Sequence, residues 1–178
     1  MGIVAVFPLI LAALLAHVYR EKNRGEIIFS SIFAGAFFGL FSYFFSMVFL
    51  SGLLYIFGGA LVDSLIKVAG VNLRRGYSLF FGLGFGGAVA ALSLFYGSLE
   101  GFYVIYGLLI STASVLFHSS TSVMASGGSP LRGLTRVTAL SILYNILLFI
   151  NTWETAALAI VYSSYLLFRV RKGRPVKV

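Results

Sequence analysis

Residues 3–24 read IVAVFPLILAALLAHVYREKNR. An apolar run from Ile3 to Tyr19 gives way to Arg20, Lys22 and Arg24. Such a run approaches the ~20 residues that a helix needs to cross a bilayer core. The same figure recurs along the chain, with cations gathered in alternate connections. Arg74 and Arg75 follow the third apolar segment, and Arg132 and Arg136 follow the fifth. Arg169, Arg171, Lys172, Arg174 and Lys177 follow the last. The other connections carry only Glu100 and Glu154, or no charge. Cationic loops stay on the cytoplasmic side of a membrane. The pattern therefore predicts a polytopic protein with its N-terminus outside and a basic cytoplasmic tail.

Composition narrows the class further. Only 10% of the 178 residues are charged and 60% are hydrophobic. A soluble domain carries about 25% charged residues, so this chain cannot cover a surface in water and lipid is its expected solvent. The formal charge of +8 would point to nucleic acid in a soluble protein. Here it is confined to loops and a tail, so the anionic cytoplasmic leaflet is the expected counter-ion and no nucleic acid is expected. The chain has no cysteine, which excludes disulfides, thiolate metal sites and cysteine nucleophiles. Met1–Ala16 lacks the basic start of a secretory signal peptide, so the first segment is expected to be kept as a helix.

Read by hydropathy, the fold is an all-α transmembrane bundle of about seven spans. They run Ile3–Tyr19, Ile27–Phe45, Val48–Ala69, Ser78–Tyr96, Phe102–Met124, Leu134–Ile150 and Thr155–Phe168. Ser46, Ser51 and Gly52 supply the only turn between the second and third. Residues 1–168 form a single transmembrane domain and 169–178 the basic tail. Tyr19, Tyr96, Tyr103 and Trp153 lie near span ends, where amphipathic rings favour the interface. No loop is long enough for a soluble lobe, so any activity lies in the bilayer, at its surface or in a partner. A faint parallel repeat with an offset of 51 residues pairs Gly35 with Gly86, Ser42 with Ser93, Phe44 with Phe95 and Tyr55 with Tyr106. Duplications of this kind occur in transporters.

Asp63 and Lys67 are the only opposite charges well inside a span. Their spacing of four puts them on one helix face with the acid first, the better order for pairing. Tyr55 and Gly59 continue the stripe. Ionisable groups in the membrane mark functional sites by default, here an ion or proton site. A structural reading stands beside it: Lys67 lies near the cytoplasmic end of its span and can snorkel to the interface, leaving Asp63 to pair with it or with a loop arginine.

The fifth span is the most polar. Ser111, Ser114, His118 and Ser122 share one face by the three-and-four rule. They can line a water-filled path with His118 as a relay, or act as hydrogen-bonding glue between helices. His17 and His118 are the only histidines, and no carboxylate is spaced to support them as metal or haem ligands. Neither metal nor cofactor is expected. No Gly-x-Ser-x-Gly elbow, paired-histidine zinc motif or phosphate loop occurs, and Asp63 is the only aspartate, so catalysis is not expected. Gly35 with Gly39, and Gly82 with Gly86, have the G-x-x-x-G spacing that lets helix backbones approach.

The stretch from Val115 to Ile150, VLFHSSTSVMASGGSPLRGLTRVTALSILYNILLFI, resembles the signature region of Yip1-domain membrane proteins. The resemblance rests on His118, Gly127–Gly128, Ser129, Arg132, Arg136 and Ser141, about a fifth of the chain. It departs from that pattern after Ser141, where Ile142 and Leu143 replace an expected proline, and in span number, since the family is described with about five. It implies an interaction protein of membrane organisation or trafficking, without catalysis.

Two functions follow from these readings. One is a non-enzymatic protein acting by association, as a membrane organiser or a subunit of a larger complex, with a protein partner or a second copy of itself. The other is a small-solute or ion transporter or channel using Asp63, Lys67 and the fifth-span stripe. A transporter would place Asp63 and His118 on one shared cavity. An organiser would pack them separately.

Overall fold

The computed structural model describes residues 2–19, 25–49, 53–73, 75–97, 104–150 and 152–171. Among these, all regular structure is helical. The order is α1 (Gly2–Tyr19), α2 (Gly25–Phe49), α3 (Leu53–Leu73), a 3-10 turn (Arg75–Tyr77), α4 (Ser78–Gly97), α5 (Val104–Ala125), α6 (Pro130–Ile150) and α7 (Thr152–Arg171). Arg20, Lys22, Arg24, Ser51, Gly52, Arg74, Glu100, Tyr103, Lys172, Arg174 and Lys177 lie outside the described residues.

Several boundaries differ from the hydropathy reading; α3, for one, runs to Leu73 and not Ala69, and α7 starts at Thr152 and not Thr155. Val48 and Phe49 extend α2 rather than opening α3. Helix α6 begins four residues early, at Pro130. Its start is chemical: the Arg132 N–H donates to Ser129 Oγ at 3.5 Å and the Gly133 N–H to Ser129 O at 3.0 Å. Ser129 is thus an N-cap, with Pro130 at the first helical position where a missing N–H costs nothing. Just before it, Gly128 takes φ 92°, a left-handed conformation that suits glycine after a helix end. Helix α7 continues through Arg169 and Arg171, so these two cations belong to a helix rather than to a tail.

Among the described residues, five helices, α2 to α6, are long and apolar enough to cross a membrane. Helix α1, Gly2–Tyr19, is apolar as well. Helix α7 dilutes its apolar residues with Glu154, Ser163, Ser164 and Arg169. The distribution of side chains is inverted relative to a soluble protein. Phe29, Phe33, Phe37, Phe41 and Phe45 form an exposed stripe along α2, and Leu53, Phe57, Leu61 and Leu65 another along α3. Ser31, Ser42, Ser64, Lys67, Ser119 and Ser122 are fully buried. Buried polar groups beneath a contiguous apolar surface are the informative departure from the soluble pattern. This is a membrane-embedded helical bundle.

Helix α4 sits at the centre, against α1, α2 and α5. A Cβ added at Gly35 or Gly84 would fall on the carbonyl oxygens of Phe81 and Ile32 respectively. At Gly82 it would stand 2.7 Å from Ser119 Cα, and at Gly86 2.9 Å from Val115 Cα. Here backbone meets backbone, because the glycines remove the bulk that would separate the helices.

These contacts also fix direction. Gly35 faces Phe81 and Gly39 faces Phe85, so α2 and α4 are parallel. Gly82 faces Ser119 and Gly86 faces Val115, so α4 and α5 are antiparallel. Tyr106 packs on Trp153, and Ser120 donates to Ser163, so α5 and α7 are parallel. Helix α3 opposes α2, with Ser42 beside Asp63 and Ser46 beside Gly59. Arg75, Arg132, Arg136 and Arg169 accordingly lie toward one end of the bundle, and Trp153 and Glu154 toward the other.

Candidate functional site: an intramembrane cavity

The site begins on α3. Asp63 lies ten residues from either end of that helix, at its midpoint. Tyr55 and Gly59 precede it at intervals of four, so the three share one face. All three line a cavity of about 280 Å³. Each of the five candidate spans contributes to its wall. Tyr43 and Ser46 come from α2, Ala90, Ser93 and Leu94 from α4, and Ser111, Ser114, Phe117 and His118 from α5. Helix α6 supplies Ser141, Tyr144, Asn145 and Leu148.

Helix direction sets the depth of these groups. Tyr55, Leu94 and Leu148 lie toward the end away from the basic segments, whereas Asp63 and His118 lie deeper. The cavity thus occupies the half of the bundle remote from the cations, with a carboxyl and an imidazole at its inner end.

Asp63 keeps partial exposure. Ser42, fully buried on α2, donates its hydroxyl to Asp63 Oδ1. Lys67 departs from the snorkelling expectation. It has no exposed surface, and its Nζ donates to Thr121 Oγ1 on α5 at 3.3 Å. The ammonium lies 5.2 Å from the centre of the Phe85 ring and 5.7 Å from that of Phe117, within cation–π range. The reason is helix length. Helix α3 runs to Leu73, which leaves Lys67 six residues, about 9 Å, short of the helix end. No direct ion pair joins Asp63 to Lys67 among the described residues. The two charges share a helix face but are held by different neighbours: the anion borders the cavity, and the cation is shut behind aromatic rings.

The polar stripe of α5 divides. Ser111, Ser114 and His118 line the cavity. Ser122 does not: it packs where α5 crosses α4, its Cβ 2.8 Å from where a Cβ on Gly82 would stand. Ser111, Ser119, Ser120 and Thr121 place their hydroxyls on carbonyls of their own helix, while Ser120 also meets Ser163 on α7 and Thr121 accepts from Lys67 on α3. His118 is 6% exposed, its ring centre 5.1 Å from that of Phe85, and its Nδ1 has no hydrogen-bond partner. Ser141 Oγ, on a residue 4% exposed, is likewise unpartnered. Buried polar atoms are nearly always paired, so two unpaired ones on residues of one cavity wall are unusual.

His17 is exposed on α1, away from these groups. No set of three His, Cys, Asp or Glu residues stands close enough to hold a metal among the described residues. Arg169 packs against the Tyr165 ring at 5.9 Å.

Sequence reasoning missed the contributions of α2 and α6: Tyr43, Ser46, Tyr144 and Asn145. Asn145 carried a usable signal, as a lone amide within the apolar ILYNILL segment. Its Nδ2 donates to Ile56 O at 3.2 Å, joining α6 to α3. Tyr144 stacks on Phe117, with ring centres 4.2 Å apart and 15° between planes.

No protein-family model, curated protein or solved structure matches the chain. The likeness of residues 115–150 to Yip1-domain proteins therefore rests on those residues alone.

Proposed function

We propose that this chain is a non-enzymatic multi-pass membrane protein that binds a small solute in the five-helix cavity and carries it across the bilayer. Its N-terminus lies outside, its basic end faces the cytoplasm and the anionic leaflet, and α1 and α7 complete seven spans. One observation supports the carrier over the organiser: Asp63 and His118 border a single cavity instead of being packed apart. Its volume approaches the roughly 300–1,000 Å³ typical of small-molecule sites. Its position between spans, with polar groups at mid-depth, suits alternating access around a fixed site.

The absence of cysteine provides a clean test. In S114C, a charged, water-soluble thiol reagent should label the protein in sealed vesicles from the side remote from the basic segments. It should react at least tenfold more slowly from the other. A thiol unreactive from both sides would remove the solute path, and with it the carrier.

A further inference from the structure

We propose that the cavity takes a small organic ammonium, with the Asp63 carboxylate as its counter-charge. This assignment of ligand class rests on the solute-binding reading above. Its first ground is which charge the cavity meets. Of the two charges within α3, only Asp63 lines the wall. The Lys67 ammonium is occupied by Thr121 Oγ1 at 3.3 Å and by the Phe85 and Phe117 rings. An anion entering the cavity would meet a carboxylate first and would find the nearest cation engaged elsewhere. A cation meets a carboxylate that Ser42 orients and on which Lys67, one helical turn away, acts through space and not through a direct ion pair.

The second ground is the wall itself. Tyr43, Tyr55 and Tyr144 border the space, and aromatic faces attract ammonium groups. Apolar groups such as Leu94 and Leu148 face the remainder. At about 280 Å³ the space far exceeds a bare metal ion, which would also need several oxygen ligands at once. A small amine with an apolar body uses both parts of the wall.

The third ground is the unpartnered pair. A primary ammonium carries three N–H donors. Asp63 accepts one. Of the four buried side-chain atoms without partners among the described residues, Ser141 Oγ and His118 Nδ1, the latter an acceptor in the tautomer protonated at Nε2, are on wall residues, and Ser122 Oγ and Thr138 Oγ1 are not. The first two thus belong to residues of the same wall. Helix register places them near Asp63 in depth. Lys67 donates to Thr121, which sets His118 close to the level of Asp63, and Asn145 donates to Ile56 O, which sets Ser141 about one turn away.

The test uses three molecules of similar shape and different charge: 2-phenylethylammonium, 2-phenylethanol and phenylacetate, with sodium as a bare cation. Each is added to purified, detergent-solubilised S114C, and the rate of thiol labelling is followed. The ammonium should slow labelling saturably, at least tenfold at saturation. The alcohol, the carboxylate and sodium should leave the rate unchanged at ten times that concentration. Adding D63N should weaken the protection at least tenfold, whereas D63E should retain it. Equal or better protection by the alcohol, the carboxylate or sodium would overturn the proposal, as would labelling that the ammonium does not slow. Both of these outcomes are read in the S114C background alone and stand even where D63N fails to fold. A thiol that no reagent labels is a different result, because it removes the carrier reading on which the proposal depends.

Discussion

The two flanks of the central α4–α5 pair are built on opposite principles. On one flank α4 meets α2 through glycines so closely that Gly35 and Gly84 leave no room for a methyl group. That seam is closed by backbone-to-backbone packing. On the other flank α4 and α5 meet α3 and α6 through an apolar cluster that includes Val71, Phe81, Phe85 and Val137. Toward the opposite end, however, a cavity parts them, crossed at its edge by Lys67 to Thr121 and the Phe117–Tyr144 stack, with Asn145 to Ile56 joining α6 to α3. Close packing gives a seam a single arrangement, whereas low contact density permits local opening. This bundle therefore places its rigidity and its binding space on different faces of the same two helices.

The largest effect is expected at the closed seam. Gly84→Ala sets a methyl group on Ile32 O, with backbone on both sides and no flexible side chain to yield. Overpacking of this kind costs about 3 kcal/mol or more, so thermal unfolding in detergent should fall sharply or folded protein should be lost. A variant that melts like the parent would break the contrast. On the open side, Asn145→Leu removes the amide that joins α6 to α3. Interhelical hydrogen bonds in membranes are worth roughly 1 kcal/mol. Melting should therefore drop slightly while labelling at S114C speeds severalfold; an unchanged labelling rate would show that this bond does not hold the cavity shut. Gly25→Ala serves as the sharpening case, because nothing stands within 4 Å of a Cβ there. Its cost should stay within about 0.5 kcal/mol. A penalty as large as that of Gly84→Ala would trace the effect to glycine in general rather than to backbone contact.

Much of the helical order was legible, because each long apolar run can satisfy its backbone only as a helix in lipid. Boundaries failed where local chemistry overrode hydropathy. The Ser129–Pro130 start of α6 lies among polar residues, and the α2–α3 turn had no polar stretch to mark it. Asp63 and His118 were legible because ionisable groups in apolar runs stand out. The fate of Lys67 was not, since snorkelling depends on how far α3 continues. Tyr43, Ser46 and Tyr144 gave no signal of their own: serine and tyrosine are ordinary in membrane helices, and only the register of α3 against α6 and of α2 against α3 brings them to one space. Ser42 and Ser93 did emerge as a pair in the offset of 51 residues. One now holds Asp63 and the other lines the wall.

The midpoint position of Asp63 on α3 has an electrical consequence. A cation that docks there lies about 15 Å from each helix end, and has therefore moved through about half of any voltage across the bilayer. One elementary charge crossing fully is worth about 2.3 kcal/mol per 100 mV, so occupancy of this site shifts by about 1.1 kcal/mol, roughly sevenfold, for each 100 mV. The sign depends on the side of entry and the size does not. On the proposed reading, a carboxylate at the centre of one helix would make the cavity a voltmeter as well as a binding site.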